Sequence, residues 1–161
     1  MKGKKVDLAE ANCGIARSLQ VIGDWWSLLI VREAFHGKER FSEFEKRLGM
    51  AKNILSSRLK KLVDEGIFDA VPEEGGSSRV RYRLTGKGEE LYVVLTALWQ
   101  WGERNCFDAG ELEYVTVDRE TQVPLAPLEL RTLDGRVISA RDLRIIARAD
   151  LKDAPVDSAK L

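Results

Sequence analysis

Two cysteines in 161 residues, Cys13 and Cys106, are too few and too far apart for a disulfide framework or a zinc knuckle, so reduced thiols are expected. Histidine occurs once, at His36, where a predicted helix ends and a favourable dipole contact accounts for it without metal or acid–base chemistry. There is no glycine-rich phosphate loop followed by lysine, no cluster of histidine and carboxylate ligands, and no nucleophile elbow. Neither an enzyme nor a bound metal or cofactor is expected. No apolar run is long enough to cross a bilayer, and the charged stretch from Met1 to Glu10 lacks the apolar core of a secretory signal. A cytoplasmic protein with no membrane partner is the expectation. Net charge is absent too, 26 Lys and Arg facing 26 Asp and Glu. A zero sum by itself speaks against a nucleic-acid binder, which shifts the weight to how the charge is distributed.

The distribution is uneven. Residues 1 to 107 carry 18 Lys and Arg against 15 Asp and Glu, whereas residues 108 to 161 carry 8 against 11. Between Met50 and Lys61 stand Lys52, Arg58, Lys60 and Lys61 without an acid. Between Gly75 and Gly88 stand Arg79, Arg81, Arg83 and Lys87, again without one. Two basic patches in a neutral chain fit a phosphate-facing surface, although solvated helix and hairpin faces would explain either patch alone.

Periodicity places the patches. Ile15, Ala16, Leu19 and Ile22 predict a short amphipathic helix capped by Asn12 and stopped at Gly23. A second helix runs from a capping Asp24 to Gly37, is apolar around most of its circumference, and is expected to be the central buried one. A third is capped by Ser42 and ends at Gly49. In the fourth, Ala51 to Glu65, residues Ile54, Leu55, Leu59, Leu62 and Val63 share one arc; Asn53, Ser57, Lys60, Lys61 and Asp64 lie opposite, with Ser56 and Arg58 on the flanks. After Gly66 the period changes to that of two strands, Ile67 to Val71 and Arg79 to Leu84, joined by a loop with Gly75 and Gly76 at its tip.

Helix, short turn, polar-faced helix and basic hairpin is the order of a winged helix-turn-helix. A major groove about 12 Å wide admits one helix whose N-terminal half reaches base edges. The polar side of the fourth helix is therefore expected to face double-stranded DNA. Asn53, Ser56 and Ser57 suit base edges, while Lys52, Arg58, Lys60 and Lys61 suit phosphates. The hairpin tip, with Ser78, Arg79 and Arg81, would enter the flanking minor groove or ride on the backbone. A winged-helix module used for protein contact, its fourth helix merely solvated, is the alternative.

These residues resemble the HxlR-type transcriptional regulators, relatives of the MarR group. The likeness rests on Cys13 before the first helix, Gly23 with Trp26, Arg40 to Glu43, Leu55 with Leu59, and Tyr82, Leu84, Thr85 and Gly88 after the wing. It covers roughly residues 12 to 105 and is specific in combination. The resemblance implies a dimeric cytoplasmic transcription factor, often a repressor and sometimes an activator.

Dimerisation also follows from the segment after the wing, where Leu91 to Trp101 is apolar nearly all round and one core can shield only part of it. Either a second subunit or the C-terminal tail must cover the rest. The resemblance favours the dimer, with Ile15, Leu19, Leu91, Val94, Leu98 and Trp101 at the interface. Trp25, Trp26 and Trp99 read with Trp101 as core and interface rather than as a cofactor platform. Cys13, near a helix start with Arg17 one turn on, suits a redox or electrophile sensor, which the resemblance also implies; the alternative is a small packing residue. A ligand in the interface cavity would be another effector.

The fold class expected is α+β, mainly α. A winged helix-turn-helix domain with a long C-terminal dimerisation helix spans residues 1–108, and a small β-rich extension spans residues 109–161. In the extension, Asp134 and Gly135 predict a hairpin turn and the run from Leu143 to Arg148 a further strand. It resembles the tail of longer HxlR-type chains, where cysteine pairs would suit a zinc ribbon, but it has no cysteine after Cys106.

Overall fold

A computed structural model describes residues 7–73 and 79–151, and the chain divides into two compact units, residues 1–112 and 113–161. In the first unit, α1 (Gly14–Ile22) has its cap one residue later than predicted. Cys13, not Asn12, is the N-cap; it is extended at φ −150° and its side chain closes no hydrogen bond. α2 (Trp25–Phe35) is capped as expected: Asp24 accepts from the Ser27 N–H at 3.0 Å and from the Ser27 hydroxyl at 2.6 Å. Ser27, Ile30, Val31 and Glu33 are buried, the residues between them are half-buried, and α2 packs against α1, α3, α4, α6 and β2 as expected of the central helix, with only its end residues Trp25 and Phe35 exposed.

α3 (Phe41–Leu48) starts before Ser42, so Ser42 is not its cap. The free N–H groups at this end are met instead by Glu43, whose carboxylate accepts from Arg40 at 2.9 Å and from Glu39 at 3.1 Å. These two bonds, Arg40 first, hold the Glu43 carboxyl below the usual range. Gly49 then takes φ +62°, a left-handed cap that only glycine adopts without strain, and Met50 buries itself in the turn. Ala51 opens α4 (Lys52–Asp64). Helix, three-residue turn and helix make the helix-turn-helix.

Leu55, Leu59 and Leu62 of α4 are fully buried with Ile30, Val31, Phe44, Ile67 and Phe68, each burial stabilising by about 1.5–3 kcal/mol. Phe44 is central, with the rings of Phe68 and Tyr82 each edge-on at 6.4 Å. Ile54, placed by its period on the apolar arc, is exposed. The wing is β1 (Phe68–Pro72) antiparallel to β2 (Val80–Leu84), Phe68 facing Leu84. It starts after Ile67 because the Ile67 N–H closes the end of α4 on the Leu62 carbonyl at 2.8 Å. The Tyr82 N–H donates to the Glu39 carbonyl at 2.7 Å, joining the α2–α3 loop to the wing.

After the wing come a short helix, α5 (Gly86–Glu89), and the long helix α6 (Leu91–Asn105), separated at Glu90. Thr85 anchors the junction: its hydroxyl accepts from the Gly88 N–H at 3.1 Å and donates to the Gly66 carbonyl at 2.7 Å. Gly88 must lack a side chain, since a Cβ there would lie 2.2 Å from the Ile67 carbonyl oxygen. The Thr85–Gly88 spacing thus locks the wing's exit against its entrance.

The second unit is sparse. β3 (Leu130–Arg131) pairs antiparallel with β4 (Val137–Ile138) around the turn expected at Asp134 and Gly135, Gly135 taking φ +86°, and each strand is two residues long. The run 143–148 forms no strand; its tetrad from Leu143 to Ile146 is exposed, and a 3-10 turn occupies Arg148–Asp150. Among the described residues no strand pairs with this run, and β-branched composition alone does not make one.

Candidate nucleic-acid interface

The buried leucine stripe of α4 determines what its other side presents. Lys52, Asn53, Ser56, Ser57 and Lys60 are all exposed along the outward face. Two residues expected beside them are turned to the fold. Arg58 is half-buried, its Nε 3.0 Å from Asp24 Oδ1 as an ion pair without hydrogen-bond alignment. Lys61 donates to the Gln20 carbonyl at 2.7 Å. Both cations brace α4 against the start of α2 and the end of α1, which removes them from the outward set. Lys52 makes only an exposed 3.8 Å pair with Glu45, an interaction worth about 0–1 kcal/mol.

The wing differs more from its sequence pattern. No acid lies among its arginines along the chain, yet two are brought to them in space. Glu73 receives Arg40 Nε at 2.5 Å and Arg81 Nε at 3.2 Å; Glu39 lies 3.5 Å from Arg81 Nη1 and 3.3 Å from Arg83 Nε. Hydrogen bonds from Arg40 and then Arg81 outweigh desolvation and hold the Glu73 carboxyl below its ordinary value. The wing root is therefore a charge-compensated network rather than a bare cationic face, and Arg81 is paired. Arg79 is exposed, while Ser78 and the Gly75–Gly76 tip lie outside the described residues. Lys87 Nζ donates to the Glu65 carbonyl at 2.6 Å. Sequence reading missed this network because Arg40 and Glu73 are 33 residues apart.

A second acid went unremarked. Glu33 is 1% exposed on α2, bonded by Arg32 at 2.6 Å and by Arg47 of α3 at 3.1 Å. Burial raises its carboxyl, but the hydrogen bonds from Arg32 and Arg47 outweigh it and the net displacement is downward. Its i, i+14 partner on α3 ties the first helix of the helix-turn-helix to α2.

Of the expected interface residues, Ile15, Leu19, Val94, Leu98 and Trp101 are exposed, Ile15 at 73%. Leu91 is half-buried and packs against the core cluster. Cys13 and Cys106 are free and exposed, at the start of α1 and the end of α6, and Arg17 is engaged with the Ala11 carbonyl at 2.7 Å rather than with the thiol. Among the described residues no helix is long and apolar enough to cross a membrane, and no group of three or more His, Cys, Asp or Glu stands together as a metal site.

The HxlR-like helix-turn-helix pattern matches residues 21–109. An uncharacterized HTH-type transcriptional regulator of Mycobacterium tuberculosis is 44% identical over 89 residues, 55% of this chain and 56% of that one. The chain thus spans little more than half the length of such curated relatives. The crystal structure of PA1607, described as a candidate transcription factor, superposes with TM-score 0.82 at 48% identity, covering 86% of this chain and 96% of that one. The redox regulator HypR in its oxidized form gives TM-score 0.54 at 28% identity, covering 60% of this chain and 100% of that one. With the helix-turn-helix geometry and a family match over more than half its length, the chain belongs to the HxlR-like helix-turn-helix family.

Proposed function

We propose that this chain is a sequence-specific, homodimeric repressor that reads double-stranded DNA with the outward face of α4. The observation that carries this reading is the division of one helix into a fully buried leucine stripe and an exposed row of Lys52, Asn53, Ser56, Ser57 and Lys60. Asn53, Ser56 and Ser57 are the base-reading groups; Lys52, Lys60 and Arg79 meet phosphates, with Arg81 on the wing beside them. The exposed apolar residues Ile15, Leu19, Val94, Leu98 and Trp101 supply the subunit contact, and a dimer would hold two recognition helices about 34–36 Å apart, one turn of duplex. Repression, and a place in the cytoplasm with the chromosome, are what the family resemblance implies. The test is binding to DNA upstream of its own gene against a scrambled duplex across a salt series. A steep loss of affinity with salt and a clear preference for the promoter are expected; equal, salt-insensitive binding to both would leave the protein-contact module as the better reading.

A second reading concerns the input. Cys13 is an exposed thiol at the start of an interface helix, and HypR, a similar fold, is a redox regulator. An adduct or oxidised sulfur there would shift the subunits and re-space the recognition helices. Loss of the oxidant response in Cys13→Ser but not in Cys106→Ser supports it; equal responses in both exclude it.

A further inference from the structure

Glu73 holds two arginines by one atom. Its Oε1 accepts from Arg40 Nε at 2.5 Å and from Arg81 Nε at 3.2 Å. The terminal nitrogens are left out of both bonds. Among the described residues Arg40 makes no other side-chain hydrogen bond and no second ion pair, and Arg81 adds only the approach of Nη1 to Glu39 at 3.5 Å. The two side chains stay 50% and 37% exposed. A guanidinium carries five donors in a rigid fork, so one that is engaged through Nε still presents charge-assisted donors to a second anion.

The backbone sets where those donors stand. Arg40 and Arg81 face each other in an antiparallel bridge, and the Tyr82 N–H donates to the Glu39 carbonyl, so residues 39 and 40 run beside β2 as an edge of the wing. Across β2, Arg81 is paired with Val71, two residues before Glu73, and the Glu73 N–H donates to the Arg79 carbonyl at 2.9 Å. Residues opposite one another share a face of a sheet, and neighbours along a strand alternate. Arg40, Arg81 and Glu73 therefore lie on one face, and Tyr82, whose ring packs on Phe44 in the core, lies on the other. Because Glu73 stands just beyond the last paired residue of β1, it draws Arg40 toward the tip end of the hairpin, beside Arg79.

We propose that Arg40 and Arg81, oriented by Glu73, form a seat for one backbone phosphate of the duplex that flanks the bases read by α4, with the free terminal nitrogens of Arg40 as its principal donors. This rests on the DNA reading above. A carboxylate of a protein partner would satisfy the same forks, but the place favours the phosphate: Arg40 opens the first helix of the helix-turn-helix and stands beside Arg79 on the wing. Glu73 is the positioning residue. It fixes both forks before DNA arrives, so less side-chain freedom is lost on binding.

Ethylation interference on the duplex upstream of the protein's own gene tests the seat, since each phosphate that the protein needs appears as a mark when it is neutralised. Wild type is compared with Arg40→Gln, Arg40→Lys and Arg79→Gln, each checked by thermal unfolding. Arg40→Gln is expected to lose the mark at one phosphate per half-site, different from the one lost in Arg79→Gln, and to weaken promoter and random DNA alike by about threefold or more with a shallower salt slope. Arg40→Lys keeps the charge and can still pair with Glu73, yet its single nitrogen does not replace the fork, so the same mark is expected to disappear. If the glutamine variant does not fold, the lysine variant decides. Marks kept in the Arg40 variants, or a lysine variant that matches wild type, overturn the seat and leave the DNA reading standing. The same holds if Arg40→Gln loses only the marks that Arg79→Gln loses, which would make Arg40 a brace of the wing. A wild type that gives no marks and binds DNA without salt dependence overturns both.

Discussion

Glu33 shows what one buried charge does for a helix-turn-helix. Its carboxylate is shut from water but bonded by Arg32 and Arg47, so the arginines are needed to keep the charge tolerable and the charge is needed to hold Arg47 of α3. Replacing it by Gln keeps the shape and weakens two charge-assisted bonds, with an expected loss of about 1–3 kcal/mol in urea unfolding at neutral pH. The sign of the pH dependence follows from the lowered folded-state value. The unfolded chain binds the proton more readily, so the stabilisation is full above the ordinary glutamate range near about 4.3 and disappears as pH falls through the folded value. Wild type and Glu33→Gln should therefore converge in acid, and a gap that widens there would contradict the assignment. Glu73 makes a different case, a network whose arginine side chains stay partly in solvent and whose loss costs the fold little. Because it draws charge from Arg40 and Arg81, Glu73→Gln is expected to bind random DNA more tightly, with a salt slope steeper by about one. Anisotropy titrations at two salt concentrations read both quantities, and no change would mean that the wing root stands away from DNA.

Along α4 the four cations separate by what they touch. Lys60→Ala should weaken operator and random DNA alike, whereas Asn53→Ala and Ser57→Ala should each cost about 1–3 kcal/mol of discrimination between them. Arg58→Ala and Lys61→Ala belong to a different class, since these side chains hold Asp24 and the Gln20 carbonyl. Their expected signature is a lower melting temperature with the ratio of operator to random binding retained. Thermal unfolding and competition binding on the same five variants decide between the classes.

For the assembled molecule the exposed face of α6 is the test. A glutamate in the middle of an apolar subunit contact leaves an unpaired charge out of water, so Val94→Glu is expected to sediment as a monomer and to lose most of its operator affinity, two half-sites no longer being held together. A monomeric wild type that binds its operator tightly would remove the dimer from the account.

The sequence by itself determined whatever depends on near neighbours along the chain. The period of Leu55, Leu59 and Leu62 oriented α4, Gly49 closed the turn and Asp24 capped α2. Each of these is a local rule of helix geometry, a cap or a backbone conformation. Only the tertiary structure decided how charge is spent. Basic runs in the sequence looked bare because Glu73, Glu39 and Asp24 approach Arg40, Arg81, Arg83 and Arg58 from remote segments, and Coulomb attraction follows distance in space rather than along the chain. The same holds for the extension. Its turn at Gly135 was readable from two residues, but a strand at 143–148 needed a neighbour to accept its hydrogen bonds, and no local signal supplies one.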